Sequence, residues 1–412
     1  MWNIKEIKDQ KIYVVEKLKN CINPQEQEKL ELTLANYLTM LDNSGTIRYT
    51  KIPNIIDNFI NNKLSLKRNQ KINKLSALQT AYGELNDDYV SFLLELCNNI
   101  IQTDNEYGIN LKNIDEKDIA TGTSNDNKCI PMEYNHQYNP TLEELKQASK
   151  SFYQILGDEE LTDKATKVMK DDSCFNISDT FRNGYERVGG IAFFDRIFDK
   201  TYIDIRKSND LFEYQAFNHE VMHGIDYLMN KNQLPSKYYE GFQEVPTYTI
   251  DYFFIDYLET LNFPEDEVHK LRAKKDYYLQ NLAMNTKFNI DEELRMNYIN
   301  GPNGKGYIEA GEKLHFGIPE IKNFLKDQKY RAHMGHLLEL EAGVVSYGLY
   351  KQIKENKEMG LNSLKELMRN PLPKDQIPDF SFINLDNDTL LDLSKEIGTF
   401  GHEKTVSSAS MK

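Results

Sequence analysis

The chain has 412 residues, 40% hydrophobic and 11% aromatic, which permits a sizeable core and excludes a disordered polypeptide. A formal net charge of -14, with no basic tract beyond short stretches such as Lys63 to Lys74, argues against a nucleic-acid partner. The four cysteines (Cys21, Cys97, Cys129, Cys174) lie far apart with no CxxC pair, which points to free thiols in a reducing compartment rather than a disulfide framework.

Residues 1 to about 120 read as successive helices, with apolar positions at helical spacing in Ile4, Ile7, Val14, Leu18 and in Leu30, Leu34, Leu38, Leu41. The polar stretch from Thr121 to Lys128, with the residues up to Thr141, reads as a loop or linker. A helix is expected to start at Thr141, where Thr-Leu-Glu-Glu places Glu144 three residues after the cap. Two short β-rich runs follow, Val188-Gly-Gly-Ile-Ala-Phe-Phe and Thr201-Tyr-Ile-Asp-Ile-Arg, and their spacing predicts a hairpin. A helix is predicted over about Leu211 to Met229, with Phe217, Val221, Ile225 and Leu228 as its buried stripe. Another follows Val245, with Pro246 suited to a first turn. Beyond a glycine-rich loop, Asn300 to Tyr307, a long helix is expected over about Lys326 to Asn356. That loop lacks the ending of a phosphate-binding loop. The division expected is an N-terminal helical lobe (1–135), a larger second domain (136–403) and a flexible tail (404–412). No run nears the roughly 20 apolar residues of a membrane span, and Met1 to Asn20 holds no signal-peptide core, so a cytoplasmic protein with no membrane partner is expected.

His219-Glu220-Val221-Met222-His223 is an HExxH motif inside a predicted helix. Spacing of i and i+4 puts both imidazoles on one face, one turn apart, where they can share a metal ion, with Glu220 beside them as the base. A catalytic zinc site needs a third protein ligand. Asp226 suits poorly, because His219, His223 and Asp226 together extend over about 10 Å of helix. The ligand should come from a neighbouring helix, and Glu244 opens the next one. Asp251, seven residues on, faces the same way and either braces a ligand histidine or is an ordinary helix acid. His336 and Tyr347, which the resemblance described next singles out, are eleven apart on the later helix, so they face one side and can line one groove, or are simply packed side chains. Gly189-Gly190 would allow another main chain to approach the hairpin closely, though a plain structural bend explains the pair equally well.

Phe217-Asn-His-Glu-Val-Met-His-Gly-Ile-Asp226 followed by Glu244-Val-Pro-Thr-Tyr-Thr-Ile-Asp251 resembles the thimet oligopeptidase and oligoendopeptidase F family of zinc peptidases. Ala332-His333-Met-Gly-His336-Leu337 and Ala342-Gly-Val-Val-Ser-Tyr347-Gly-Leu349 resemble its later helix. The likeness spans roughly Gly184 to Tyr350. Departures are Thr247 and Asp251 for serine and glutamate, Val344 and Val345 for two aromatics, Asp226 for a histidine, and no tyrosine between His336 and Ala342.

The resemblance implies a mainly α, helical two-lobed zinc metallopeptidase with a small β-sheet or hairpin beside the active-site helix. It implies Zn2+ on His219, His223 and Glu244, Glu220-assisted attack of a zinc-bound water, and His336 and Tyr347 as donors to the substrate carbonyl and oxyanion. Oligopeptides are the expected substrates. A protease dedicated to one protein (a toxin or exported bacterial effector) and a non-catalytic helical binding protein with a structural metal are the alternatives. Oligomeric state is not readable from the sequence.

Overall fold

The computed structural model describes residues 2–43, 87–106, 138–178, 189–230, 240–300, 331–373 and 377–400. The chain is mainly helical, with one small mixed sheet among the described residues. Helices α1 (Ile4–Asn20), α2 (Pro24–Asn43) and α3 (Asp87–Glu106) are followed by α4 (Leu142–Leu156) and α5 (Glu159–Val168). Strands β1 (Phe175–Ser178), β2 (Gly190–Asp195) and β3 (Lys200–Arg206) precede α6 (Phe212–Asn230) and α7 (Glu244–Glu259). The long α8 (Glu265–Asn300), then α9 (Arg331–Glu355), α10 (Lys357–Arg369) and α11 (Asn387–Gly398), complete the fold. The expected linker from Thr121 falls almost wholly outside the described residues, as do the glycine-rich loop from Gly301, the tail, and His136, His315 and His402.

Local chemistry sets these elements. Thr141 and Glu144 form a reciprocal capping box, with the Glu144 N–H donating to Thr141 Oγ1 (3.3 Å) and the Thr141 N–H to Glu144 Oε2 (2.7 Å). The predicted hairpin forms as β2 antiparallel to β3, with Gly190 opposite Ile205 and Asp195 opposite Lys200. Asp195 shapes its turn, because Oδ1 accepts from the Ile197 and Phe198 amides at 2.9 Å each. A third strand, β1, pairs parallel to the far side of β3, which gives the order β1-β3-β2 and leaves β2 at an edge. Asn36 of α2 donates to the Phe194 carbonyl at 2.9 Å on that outer edge. Alternation along an antiparallel ladder turns the main-chain groups of Ala192 and Gly190 to the same side. Among the described residues no hydrogen bond reaches them there.

Helix α6 lies at the centre of the molecule, packed on β2 and β3, on α4 and α5, on α7 and on α10. Its stripe of Phe217, Val221, Ile225 and Leu228 is buried as the spacing predicted. Each such side chain stabilises the fold by about 1.5–3 kcal/mol. At the other end of the molecule α11 joins α3 to α8, with Asn99 Nδ2 donating to Ser394 Oγ (3.1 Å) and Gln280 Nε2 to the Ile397 carbonyl (2.9 Å). Among the described residues no helix is long and apolar enough to cross a membrane.

Candidate metal centre

On α6 the His219 and His223 rings stand one turn apart, centroids 4.9 Å from each other. Glu244, in the first turn of α7, meets both. Its Oε2 is 3.3 Å from His219 Nε2 and its Oε1 is 3.4 Å from His223 Nε2. One ligand atom from each of the three residues falls within 4.8 Å of the other two. A tetrahedral ion with bonds of roughly 2.0–2.1 Å requires ligand separations of roughly 3.3–3.4 Å, and each imidazole nitrogen stands at that distance from one of the two carboxylate oxygens. Two imidazole nitrogens and a carboxylate oxygen are also the donor types that suit zinc. The three residues therefore fit a single divalent ion. Asp226 is not among them.

Packing fixes Glu244 in this position. The Thr247 hydroxyl lies within donating distance of the Glu244 carbonyl (2.9 Å) and of Oε2 (3.1 Å). Ser346 of α9, fully buried, donates to the Val245 carbonyl at 3.1 Å, which pins the start of α7 against α9. Behind the ligands, Asp251 Oδ2 is 3.1 Å from His219 Nδ1. With Nδ1–H donating to that carboxylate, Nε2 is the ring nitrogen left on the Glu244 side for an ion.

The charges are strongly coupled. Desolvation acts to raise the Glu244 carboxyl, but His223 and His219 outweigh it and hold the group well below the usual carboxylate range. Desolvation likewise acts to lower both imidazoles, and the carboxylates overcome it: Asp251 and Glu244 raise His219 well above its ordinary value, and Glu244 raises His223. Glu220 behaves differently. It is 5% exposed, and burial lifts its carboxyl above the ordinary glutamate value despite the nearby His223 and His219. A Cβ placed on Gly190 would sit 2.6 Å from Glu220 Cγ and 3.0 Å from the Asp204 carbonyl, so strand β2 passes directly beside this side chain.

The architecture is shared with solved peptidase structures. One is a candidate oligoendopeptidase F from Bacillus anthracis str. Ames, with a TM-score of 0.51 and 12% identity over 93% of this chain and 67% of that one. Another is PZ peptidase A with an inhibitor, with a TM-score of 0.51 and 12% identity over 94% of this chain and 71% of that one. The chain has the oligoendopeptidase F fold. At this identity the likeness is one of fold. Neither a protein-family model nor a curated protein matches the sequence.

Within the oligoendopeptidase F fold, the two donors expected on α9 are placed less simply than the metal group. The Tyr347 hydroxyl donates to Glu396 Oε1 of α11 at 2.6 Å, and its ring packs among Tyr252, Tyr350 and Phe400. Burial, reinforced by Glu396, raises its pKa and keeps it protonated. His336 is half-buried in the first part of α9, and the His333 side chain lies outside the described residues. Several neighbours of the site were not anticipated. Tyr248 has its ring 5.9 Å from that of His219, and its hydroxyl meets Tyr278 and Glu339 at 3.2 Å each. Its position four residues after Glu244, on the same helix face, was a usable signal. Lys275 of α8 reaches Asp251 Oδ2 at 3.1 Å, and nothing local in the sequence marks it.

Proposed function

We propose that the chain is a zinc-dependent metalloendopeptidase that hydrolyses oligopeptides. The convergence of His219, His223 and Glu244 on one point, with the Glu220 carboxyl buried beside them, is the observation that carries this reading. His219 Nε2, His223 Nε2 and Glu244 would hold the ion. When bound it would supply Lewis acidity and bring the pKa of water towards neutrality.

The remaining chemistry belongs to the chain's own residues. Asp251 keeps the His219 proton on Nδ1, so that Nε2 stays a donor of its lone pair. Glu220 takes the proton of the attacking water and passes it to the leaving amine, and its raised pKa brings it closer to the pKa such a shuttle needs. The outer edge of β2 at Gly190 and Ala192, which no hydrogen bond reaches among the described residues, suits an extended peptide main chain, which would then lie against Glu220. Tyr347 and His336 remain the proposed donors to the oxyanion; for Tyr347 this requires its hydroxyl to leave Glu396. The helices of residues 1–135 are proposed as a lobe on a catalytic domain of 136–403.

Gly190→Ala tests the strand's place in the site. The added methyl must displace either Glu220 or β2, so turnover is expected to fall by about 100-fold while zinc content is unchanged. A fully active variant would separate β2 from the reaction. The substrate class is tested by digesting a mixture of quenched peptides of about ten residues. Cleavage of many of them supports an oligopeptidase. Cleavage of none, with one folded protein cut instead, would replace it by a dedicated protease.

A further inference from the structure

Beyond the residues that would touch the metal, one buried cation stands where it can govern the histidine's orientation. Lys275 is 8% exposed and Asp251 2%. The ammonium lies 3.1 Å from Asp251 Oδ2, the same oxygen that is 3.1 Å from His219 Nδ1. Oδ1 of Asp251 is buried with no hydrogen-bond partner among the described residues. Among the described residues, His219 and Lys275 are therefore the two groups that orient this carboxylate. The lysine is itself confined, with Nζ 4.2 Å from the Tyr248 ring centre and 5.1 Å from that of Tyr252. It approaches from α8, whereas the histidine is on α6 and the aspartate on α7, so three helices meet at one oxygen atom.

We propose that Lys275 is a positioning residue of the metal centre, anchoring Asp251 so that His219 presents Nε2 to the ion. The inference rests on the metal reading above. Asp251 lies behind His219, and a single hydrogen bond from the imidazole leaves the carboxylate free to swing about it. The second bond, from a fixed ammonium, removes that freedom and holds the carboxylate oxygen where the His219 N–H meets it. Tyr248 takes part by packing: its ring contacts both His219 and Lys275, which closes the group on one side.

Zinc affinity, read by competition with a chromophoric chelator, tests the proposal without recourse to turnover. The wild type should bind one zinc per chain. Lys275→Met should weaken binding by about 10- to 100-fold, and Lys275→Arg, which keeps a cation and its donors, should recover most of that loss. Asp251→Asn should weaken binding similarly. Because Lys275 acts through Asp251, adding Lys275→Met to Asp251→Asn should change affinity by no more than about twofold. Wild-type affinity in Lys275→Met, or losses that multiply in the double variant, would overturn the proposal while leaving the metal site standing. A wild type that takes up no zinc would remove the metal reading and this inference together. If Lys275→Met alone fails to give a folded chain by circular dichroism, the comparison of Asp251→Asn with the double variant decides, since the double variant removes both buried charges together.

Discussion

Glu220→Gln is expected to lower peptide hydrolysis by about 100- to 10,000-fold and to leave zinc content and melting temperature close to those of the wild type. The amide has the shape of the carboxylate but cannot accept the proton of the attacking water. It makes no claim on the ion, because the group that could hold one consists of His219, His223 and Glu244. The pH dependence of the wild type supplies an independent check. Glu220 works as a base only when ionised, and burial raises its pKa above the ordinary glutamate value. As pH falls and Glu220 becomes protonated, kcat/KM should therefore decline. Metal analysis and a kcat/KM profile on the same preparations decide the matter. Hydrolysis persisting in a metal-replete Glu220→Gln protein would rule out the assigned base.

Glu244→Ala should remove tight zinc binding altogether, a larger loss than the roughly 10- to 100-fold expected when a supporting residue is replaced. The carboxylate spans the two imidazoles at 3.3 and 3.4 Å, and without it the histidines of α6 are left with no partner from α7 in the metal group. Thermal unfolding with and without zinc reads this directly. A ligand held at 1,000 times its Kd stabilises the folded state by about 4 kcal/mol, so the wild-type melting temperature should rise on adding zinc. The variant's should not move. An equal rise in both proteins would place the bound ion away from Glu244.

Much of this centre was legible in the sequence because its parts are local. The i and i+4 spacing of His219 and His223 lies within one helix, whose apolar stripe was visible in the same stretch. Glu244 followed from a geometric exclusion: one helix cannot supply all three ligands, and the next acid at a helix start was the remaining choice. The capping box at Thr141 and the hairpin of β2 and β3 are likewise short-range patterns. What was missed is long-range. Strand β1 is four residues, Phe-Asn-Ile-Ser, and becomes a strand by pairing with β3, 28 residues away in register. Lys275 meets Asp251 across 24 residues and two helices, and Tyr347 meets Glu396 across 49. Neither pairing leaves a periodic trace. Tyr347 was singled out by resemblance, and resemblance does not foresee that Glu396 of α11 lies within reach of its hydroxyl.

The central claim is that one divalent ion is shared by two neighbouring imidazoles of α6 and the carboxylate that opens α7. Crystals grown with zinc, and diffraction data collected on both sides of the zinc absorption edge, measure this most directly. The account predicts one anomalous peak bonded to His219 Nε2, His223 Nε2 and a Glu244 oxygen at about 2.0–2.2 Å. A zinc peak ligated by other residues, or zinc-soaked crystals with no peak at these three side chains, would contradict it.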